Sequence, residues 1–270
     1  MIAVAAIATF WIMTPLNIIA IPIVALGTSW RYIMIVYWSV YYIFYWITFD
    51  LPFKGGAPNV SGFDELFPGL STCMITLDGQ FTFPWRREAA MLLGAVSCSE
   101  KSLEYIFKIP GRGRAVTIAI GGLSEALMSR CNQHNIKIRG RKGFIRQALL
   151  YGASLVPCYH FGENQLYEMH RGADEQRLKN IIARLRNTLG FVPPLLKGRS
   201  LFGSPFGGLF PFRRPVTSVI GAPIHVEVVD KPTQEQVDEL HERYCKALYD
   251  LFEEHKANYN ISSDTHLYFF

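Results

Sequence analysis

Disulfide and zinc chemistry are the first things this sequence leaves out. Its cysteines, Cys73, Cys98, Cys131, Cys158 and Cys245, are odd in number, scattered and never spaced C-x-x-C. That pattern argues against a disulfide framework and a zinc site, and it fits a reducing compartment. No G-x-x-x-x-G-K-[ST] phosphate loop and no G-x-S-x-G nucleophile elbow occur, which disfavours a soluble nucleotide-binding α/β domain and an elbow-type hydrolase. The net charge is +5, yet no basic run alternates with aromatics, so nucleic acid is not an expected partner. Histidine is missing before His134.

Charge is nearly absent from residues 1–50, where only Arg31 and Asp50 carry any. Ile2 to Leu26 is uncharged and long enough for a spanning helix, which needs roughly 20 apolar residues. It has no basic leader, and its apolar core is too long for a signal peptide. A short polar patch (Gly27 to Arg31) precedes Tyr32 to Phe49, an apolar stretch rich in Tyr and Trp of the kind that collects near lipid headgroups. The expectation is a membrane hairpin. One span plus an interfacial helix, or a buried helix pair, are the alternatives. A basic body beside such a segment suits anionic headgroups or acidic ligands.

From residue 71 to 256 strands alternate with helices, which predicts an α/β domain with a mainly parallel sheet flanked by helices. The organisation is an anchor over 1–50, a turn-rich linker over 51–62, the domain over 63–256 and a tail over 257–270. Phe63 to Leu70 starts helical and stops at Pro68-Gly69. Ser71 to Leu77 reads as a strand, Arg86 to Leu93 as a helix capped by Gly94, and Ser99 to Phe107 as a helix with serines at its start. Ala115 to Ile120 reads as a strand covered on both faces. Asp174 to Leu189 has the pattern of a charged amphipathic helix, and Leu201 to Arg214 that of an aromatic, glycine-rich loop. Pro215 to Ile220 and Ile224 to Val229 read as strands. Thr233 to Lys256 is a long helix opened by a capping box of Thr233 and Gln236. Val237, Leu240, Tyr244, Leu248, Leu251 and Phe252 lie on its apolar face.

Arg139 to Tyr167 holds the densest chemistry. Arg139, Arg141 and Lys142, followed by Gly143 and Phe144 at a helix start, could neutralise a phosphate or headgroup. Ala153 to Cys158 is expected to be a buried strand ending in His160, Glu163 and Asn164, at the strand end where open α/β sheets bind ligands. His160 and Glu163 are the candidates for acid–base work, against a plain structural role for each. Gly121 and Gly122, with Glu125 just beyond, follow a strand and allow close backbone approach to a ligand. His225 and Asp230 match an H-x4-D spacing, but in a strand residues five apart face opposite sides about 16 Å apart. No metal site is expected.

Several stretches together resemble the diacylglycerol acyltransferase 2 family, with its monoacylglycerol acyltransferases and wax synthases. They are FPGL (67–70), FPWRREAAMLLGAVSCS (83–99), AIGGLSEAL (119–127), RGRKGFIRQALLYGASLVPCYHFGENQLY (139–167), GRSLF (198–202), GLFPFRRPVTSVIGAPI (208–224) and PTQEQVDELHERYCKALYDLFEEHK (232–256). The resemblance covers essentially all of 63–256 and marks that region as acyltransferase-like. It implies a glycerolipid acyltransferase-like fold and an enzyme of the endoplasmic reticulum membrane or lipid droplets. Such an enzyme moves an acyl group from acyl-CoA to a diacylglycerol, monoacylglycerol or similar lipid alcohol in triacylglycerol synthesis. A histidine would take the acceptor proton. Acyl-CoA is a co-substrate, and no cofactor is implied. The expected partners are acyl-CoA, the lipid acceptor, the membrane and, in a homo-oligomer, a second copy of the chain. The substrate-binding candidates are Gly121, Gly122, Glu125, Arg139, Arg141, Lys142, Gly143, Phe144, Glu163 and Asn164.

The sequence departs from the family at one place. The family's His-Pro-His-Gly motif lies between the anchor and FPGL, whereas Lys54-Gly55-Gly56 here runs through a short linker almost directly into Phe63 to Leu70. The block with that motif has no counterpart. The alternative reading is therefore a non-catalytic member that binds lipid or an active homologue.

Overall fold

The computed structural model describes residues 36, 38–43, 69–82, 86–109, 113–122, 125, 130–169, 196–200 and 210–270. The expected membrane hairpin lies almost wholly outside these residues, as do the linker, the helix expected from Phe63, the helix over 174–189 and most of the aromatic loop over 201–214. Among the described residues no helix is long and apolar enough to cross a membrane. Residues 38–43 are helical, and there the Tyr41 hydroxyl donates to the Glu88 carboxylate at 2.9 Å.

The chain divides into two compact units, Met1–Ala119 and Ile120–Phe270. In the first, β1 (Leu70–Thr76) is the middle of a three-stranded parallel sheet between β2 (Ala95–Ser97) and β3 (Gly113–Ile118). Parallel pairing requires crossovers, and α1 (Arg86–Leu92) and α2 (Glu100–Lys108) supply them. α2 begins where the Ser99 hydroxyl accepts the Ser102 N–H. Its Leu103 and Ile106 pack on Ile75, Val96, Val116 and Ile118. That packing covers one face, so β3 is not buried on both sides as its sequence suggested: Val116 and Ile118 are half-buried while Thr117 is exposed.

The second unit is organised by α4 (Gln234–His255), which starts with the expected capping box. Thr233 Oγ1 accepts the Gln236 N–H, and Gln236 Oε1 accepts the Thr233 N–H. Apolar spacing of three and four gives this helix one buried stripe, Val237, Leu240, Tyr244, Leu248, Leu251 and Phe252. Against it pack Ile138, α3 (Gly143–Tyr151) through Ile145 and Leu149, and Phe161 of β5 (Cys158–Phe161). Phe252 is fully buried and meets Tyr159 at 5.1 Å, Phe161 at 5.7 Å and His134 at 5.0 Å between ring centres.

Strand pairing here is mixed. β4 (Asn135–Ile136) runs parallel to β9 (Tyr268–Phe269), whereas β5 with β8 (Thr217–Ile220), and β6 (Glu168–Met169) with β7 (Leu196–Lys197), are antiparallel. The strand expected over Ala153 to Cys158 begins only where it was expected to end. Pro157 has no N–H to donate, and Leu155 joins Ile224 through a single bridge. Beyond that bridge, 225–229 is irregular rather than the second strand expected there. Residues 257–270, read from sequence as a tail, belong to this unit. The buried Lys256 ammonium donates to the carbonyls of Ser263 (2.8 Å) and Thr265 (2.9 Å) and pairs with Glu253 at 2.8 Å. That ties the last loop down and delivers β9 to β4.

Phe252→Ala should cost about 3–5 kcal/mol of unfolding free energy, the usual range for emptying a buried phenylalanine site. Urea denaturation followed by the tyrosine signal checks it, and a loss below 1 kcal/mol would contradict the placement of this ring at the centre of the unit.

Candidate functional site

β5 presents two faces, and its residues divide between them because strand side chains alternate. Tyr159 and Phe161 point into the core, while Cys158 and His160 are exposed. On the inner side the Tyr159 hydroxyl and His134 Nδ1 share a hydrogen bond of 2.8 Å. His134 precedes β4 and is held by main chain, its carbonyl accepting the Tyr268 N–H at 2.9 Å. Burial lowers its imidazole pKa. Burial, reinforced by the charges of Glu163 and then Glu125, pushes the Tyr159 phenol above its ordinary range. A neutral imidazole and a protonated phenol thus lie beside two carboxylates.

Those carboxylates are positioned by short-range geometry. Glu125 accepts the Lys137 N–H at 2.9 Å. Burial raises its pKa, the Lys137 N–H opposes that shift, and the Glu163 charge adds to it. Its side chain folds over Gly121, where a Cβ would come within 2.5 Å of the Glu125 Cβ, so the turn after β3 needs glycine for close packing. Gly122 follows with φ of +59°. Glu163 is exposed and opens a short 3-10 turn, Glu163–Gln165. Asn164 reaches across to donate to the Gln133 carbonyl at 3.1 Å, fixing the loop before His134. Gly162 makes the bend possible: its φ is +90°, and a Cβ there would lie 2.2 Å from the Pro215 carbonyl oxygen.

The basic turn ahead of α3 is braced from α4. Lys142 pairs with Asp238 at 2.7 Å. Phe144 sits edge-on to Tyr244 at 5.2 Å and to His241 at 6.5 Å. The buried His241 Nε2 donates to the Ile138 carbonyl at 3.1 Å. Arg139 and Arg141 are exposed, and the Arg139 charge reaches Cys245, where it opposes the upward push of burial on the thiol pKa. Gly143 is the first residue of α3.

The structure therefore brings Glu125, Glu163 and Asn164 together, with Gly121 beneath, and leaves Arg139 and Arg141 exposed on a braced turn. His160 points to the other face of β5, where its Nδ1 lies 2.7 Å from Ser218 Oγ. His225 faces Ser154 Oγ at 3.4 Å rather than Asp230. Sequence reading missed His134 and Ser218. Neither stands out by its sequence neighbours: His134 meets Tyr159 across the core, and Ser218 meets His160 through strand pairing. Among the described residues no three His, Cys, Asp or Glu side chains converge as a metal site would require.

His134→Gln should flatten the acid limb of stability. A histidine whose folded pKa lies below its ordinary 6.5 stabilises fully above 6.5 and loses that contribution as pH falls. Glu125 has the opposite sign: held above its ordinary 4.5, it stabilises in acid and loses this as pH rises from 4.5 through the folded value, so Glu125→Gln should remove a decline with rising pH. Urea midpoints from pH 4 to 8 test both, and parallel profiles for either variant and the parent refute that assignment. Gly162→Ala should cost at least about 1–3 kcal/mol from backbone strain alone, read in the same denaturation series.

A family model described as diacylglycerol acyltransferase matches residues 32–270. The chain is 40% identical over 211 residues to 2-acylglycerol O-acyltransferase 1 of Bos taurus, covering 78% of this chain and 63% of that protein. It is 40% identical over 209 residues to 2-acylglycerol O-acyltransferase 3 of Homo sapiens (77% and 61% covered). It is 37% identical over 208 residues to diacylglycerol O-acyltransferase 2 of Danio rerio (77% and 58%). The chain thus spans about three fifths of the length of the curated relatives it matches. No solved structure matches it. By extent of match and identity, the chain belongs to the diacylglycerol acyltransferase family.

Proposed function

We propose that this protein is an acyl-CoA-dependent O-acyltransferase that esterifies diacylglycerol, monoacylglycerol or a similar lipid alcohol in neutral lipid synthesis. Family membership supports the reaction class, and the relatives' names specify acylglycerol acceptors. The carrying structural observation is the braced basic turn. Asp238, His241 and Tyr244 fix Lys142, Ile138 and Phe144, leaving Arg139 and Arg141 exposed at the start of α3. A pair of exposed guanidiniums on a braced turn suits phosphate oxygens such as those of coenzyme A. Gly143 adds a main-chain N–H at the same helix start.

Transfer requires the acceptor hydroxyl to lose its proton as it attacks the acyl carbonyl carbon, and coenzyme A to leave as the thiol. His160 is an exposed imidazole and Glu163 an exposed carboxylate, so both can meet a substrate proton. Gly121, Gly122, Glu125 and Asn164 shape the loops beside Glu163. No cofactor enters this reaction. The uncharged stretches Ile2 to Leu26 and Tyr32 to Phe49 suit a membrane anchor at the endoplasmic reticulum or lipid droplets, where acceptor and product both reside. The second reading, a non-catalytic member that binds lipid or an active homologue, is favoured by one observation: no His-Pro-His-Gly occurs in the sequence.

Microsomes containing the full chain should convert radiolabelled palmitoyl-CoA and diacylglycerol or monoacylglycerol into the corresponding ester. Arg139→Glu with Arg141→Glu should raise the KM for palmitoyl-CoA by about 10-fold or more, the worth of losing one charge-assisted contact, while sparing KM for the acceptor. No ester above background favours the second reading, and an unchanged KM removes the turn from the coenzyme A site.

A further inference from the structure

The outer face of the β5–β8 ribbon carries a hydroxyl–imidazole pair apart from the basic turn and the Glu125–Glu163 cluster. His160 and Ser218 are directly opposed in the antiparallel register, and both are exposed. His160 Nδ1 lies 2.7 Å from Ser218 Oγ, within the range expected of a hydroxyl donating to a basic ring nitrogen. The next opposed pair on this face is Cys158 with Ile220. Ile220 is 49% exposed, Val156, two residues before Cys158, 45%, and Val216, two residues before Ser218, 43%. A hydroxyl–imidazole pair thus lies among exposed apolar side chains, the surroundings suited to the thioester end of an acyl chain. We propose that Ser218 is a nucleophile, activated by His160, that takes the acyl group from acyl-CoA as a covalent ester. This rests on the reading of the chain as one that handles acyl-CoA.

The step balances without any further reactant. Ser218 Oγ attacks the thioester carbonyl carbon as its proton passes to His160 Nδ1, with Nε2 carrying the other hydrogen. The C–S bond breaks, and coenzyme A leaves with the proton returned from His160. The acceptor hydroxyl then attacks the Ser218 ester, gives its proton to His160, and departs as the new ester while Ser218 Oγ regains its hydrogen. Water can replace the acceptor, because the pair is open to solvent, and the product is then the free acid. Cys158 does not compete for the role: burial, and then the charge of Glu163, hold its thiol above its ordinary pKa and so in the unreactive protonated form.

The test uses the full chain in detergent with radiolabelled palmitoyl-CoA and no acceptor, followed by peptide mass mapping. The expected result is label on the peptide containing Ser218, resistant to neutral hydroxylamine as an oxygen ester is, with slow release of coenzyme A. Ser218→Ala should abolish label and release, and His160→Ala should slow labelling by about 10²-fold. Cys158→Ala should label like the parent. Ser218→Cys should restore label in a hydroxylamine-sensitive form, showing that the variant is folded and that the position itself is acylated. An unlabelled parent, or Ser218→Ala labelled as fully as the parent, overturns the proposal. Acylglycerol esterification measured in parallel separates the two readings. Ester formation surviving in Ser218→Ala overturns the covalent route and leaves the acyltransferase standing. Label without ester formation supports the pair and overturns the acceptor assignment. Neither label nor ester overturns both.

Discussion

The Ile120–Phe270 unit depends on one aromatic contact. Phe252, on the buried stripe of α4, touches His134 ahead of β4 and Tyr159 and Phe161 on β5. Phe161 continues the stack onto Tyr259 at 4.2 Å. The strands here are only two to four residues long, too short to hold register by ladder hydrogen bonds alone. Ring packing supplies the missing constraint. It sets which residues of β5 face inward, and the pleat then decides the rest.

That division gives one short strand two chemistries. Inward, Tyr159 joins His134 near Glu125 and Glu163, where burial favours the neutral form of both partners. Outward, His160 meets Ser218 in solvent. The basic turn is a third element, braced by α4 rather than by its own strand. A single helix therefore supports the core, through Phe252 and Leu240, and the proposed phosphate receptor, through Asp238 and His241. Changes on α4 should be felt at both.

Legibility followed the range of the interactions. α4 could be read to within a residue, because its cap, Thr233 with Gln236, and its apolar spacing are local signals. α2 and α3 were equally plain. β5 was placed too early because Ala153 to Cys158 is a continuous apolar run, and hydrophobicity does not show that Pro157 cannot donate to a ladder. β2 was missed at three residues, too short for any period. In the site, Glu163, Asn164 and the arginines stood out by their position after a strand or before a helix. His134 and Ser218 carried no such mark: their partners lie 25 and 58 positions away and are set by strand register and by Phe252. The return of residues 257–270 to the fold was hidden for the same reason, since it depends on Lys256 reaching three oxygen atoms from a buried site.

The pairing of β9 with β4 has a consequence for how the protein is made. β4 leaves the ribosome more than a hundred residues before its partner Tyr268–Phe269, and the main-chain groups of Ile138 and Arg139 wait for Phe270. Non-local contacts of this span form late. The segment that bears His134 and leads into the basic turn thus stays unpaired until residues 268–270 have emerged. Its unpaired strand edge is open to other chains for that interval, and the main chain at Ile138 and Arg139 cannot be set until Phe270 has been added.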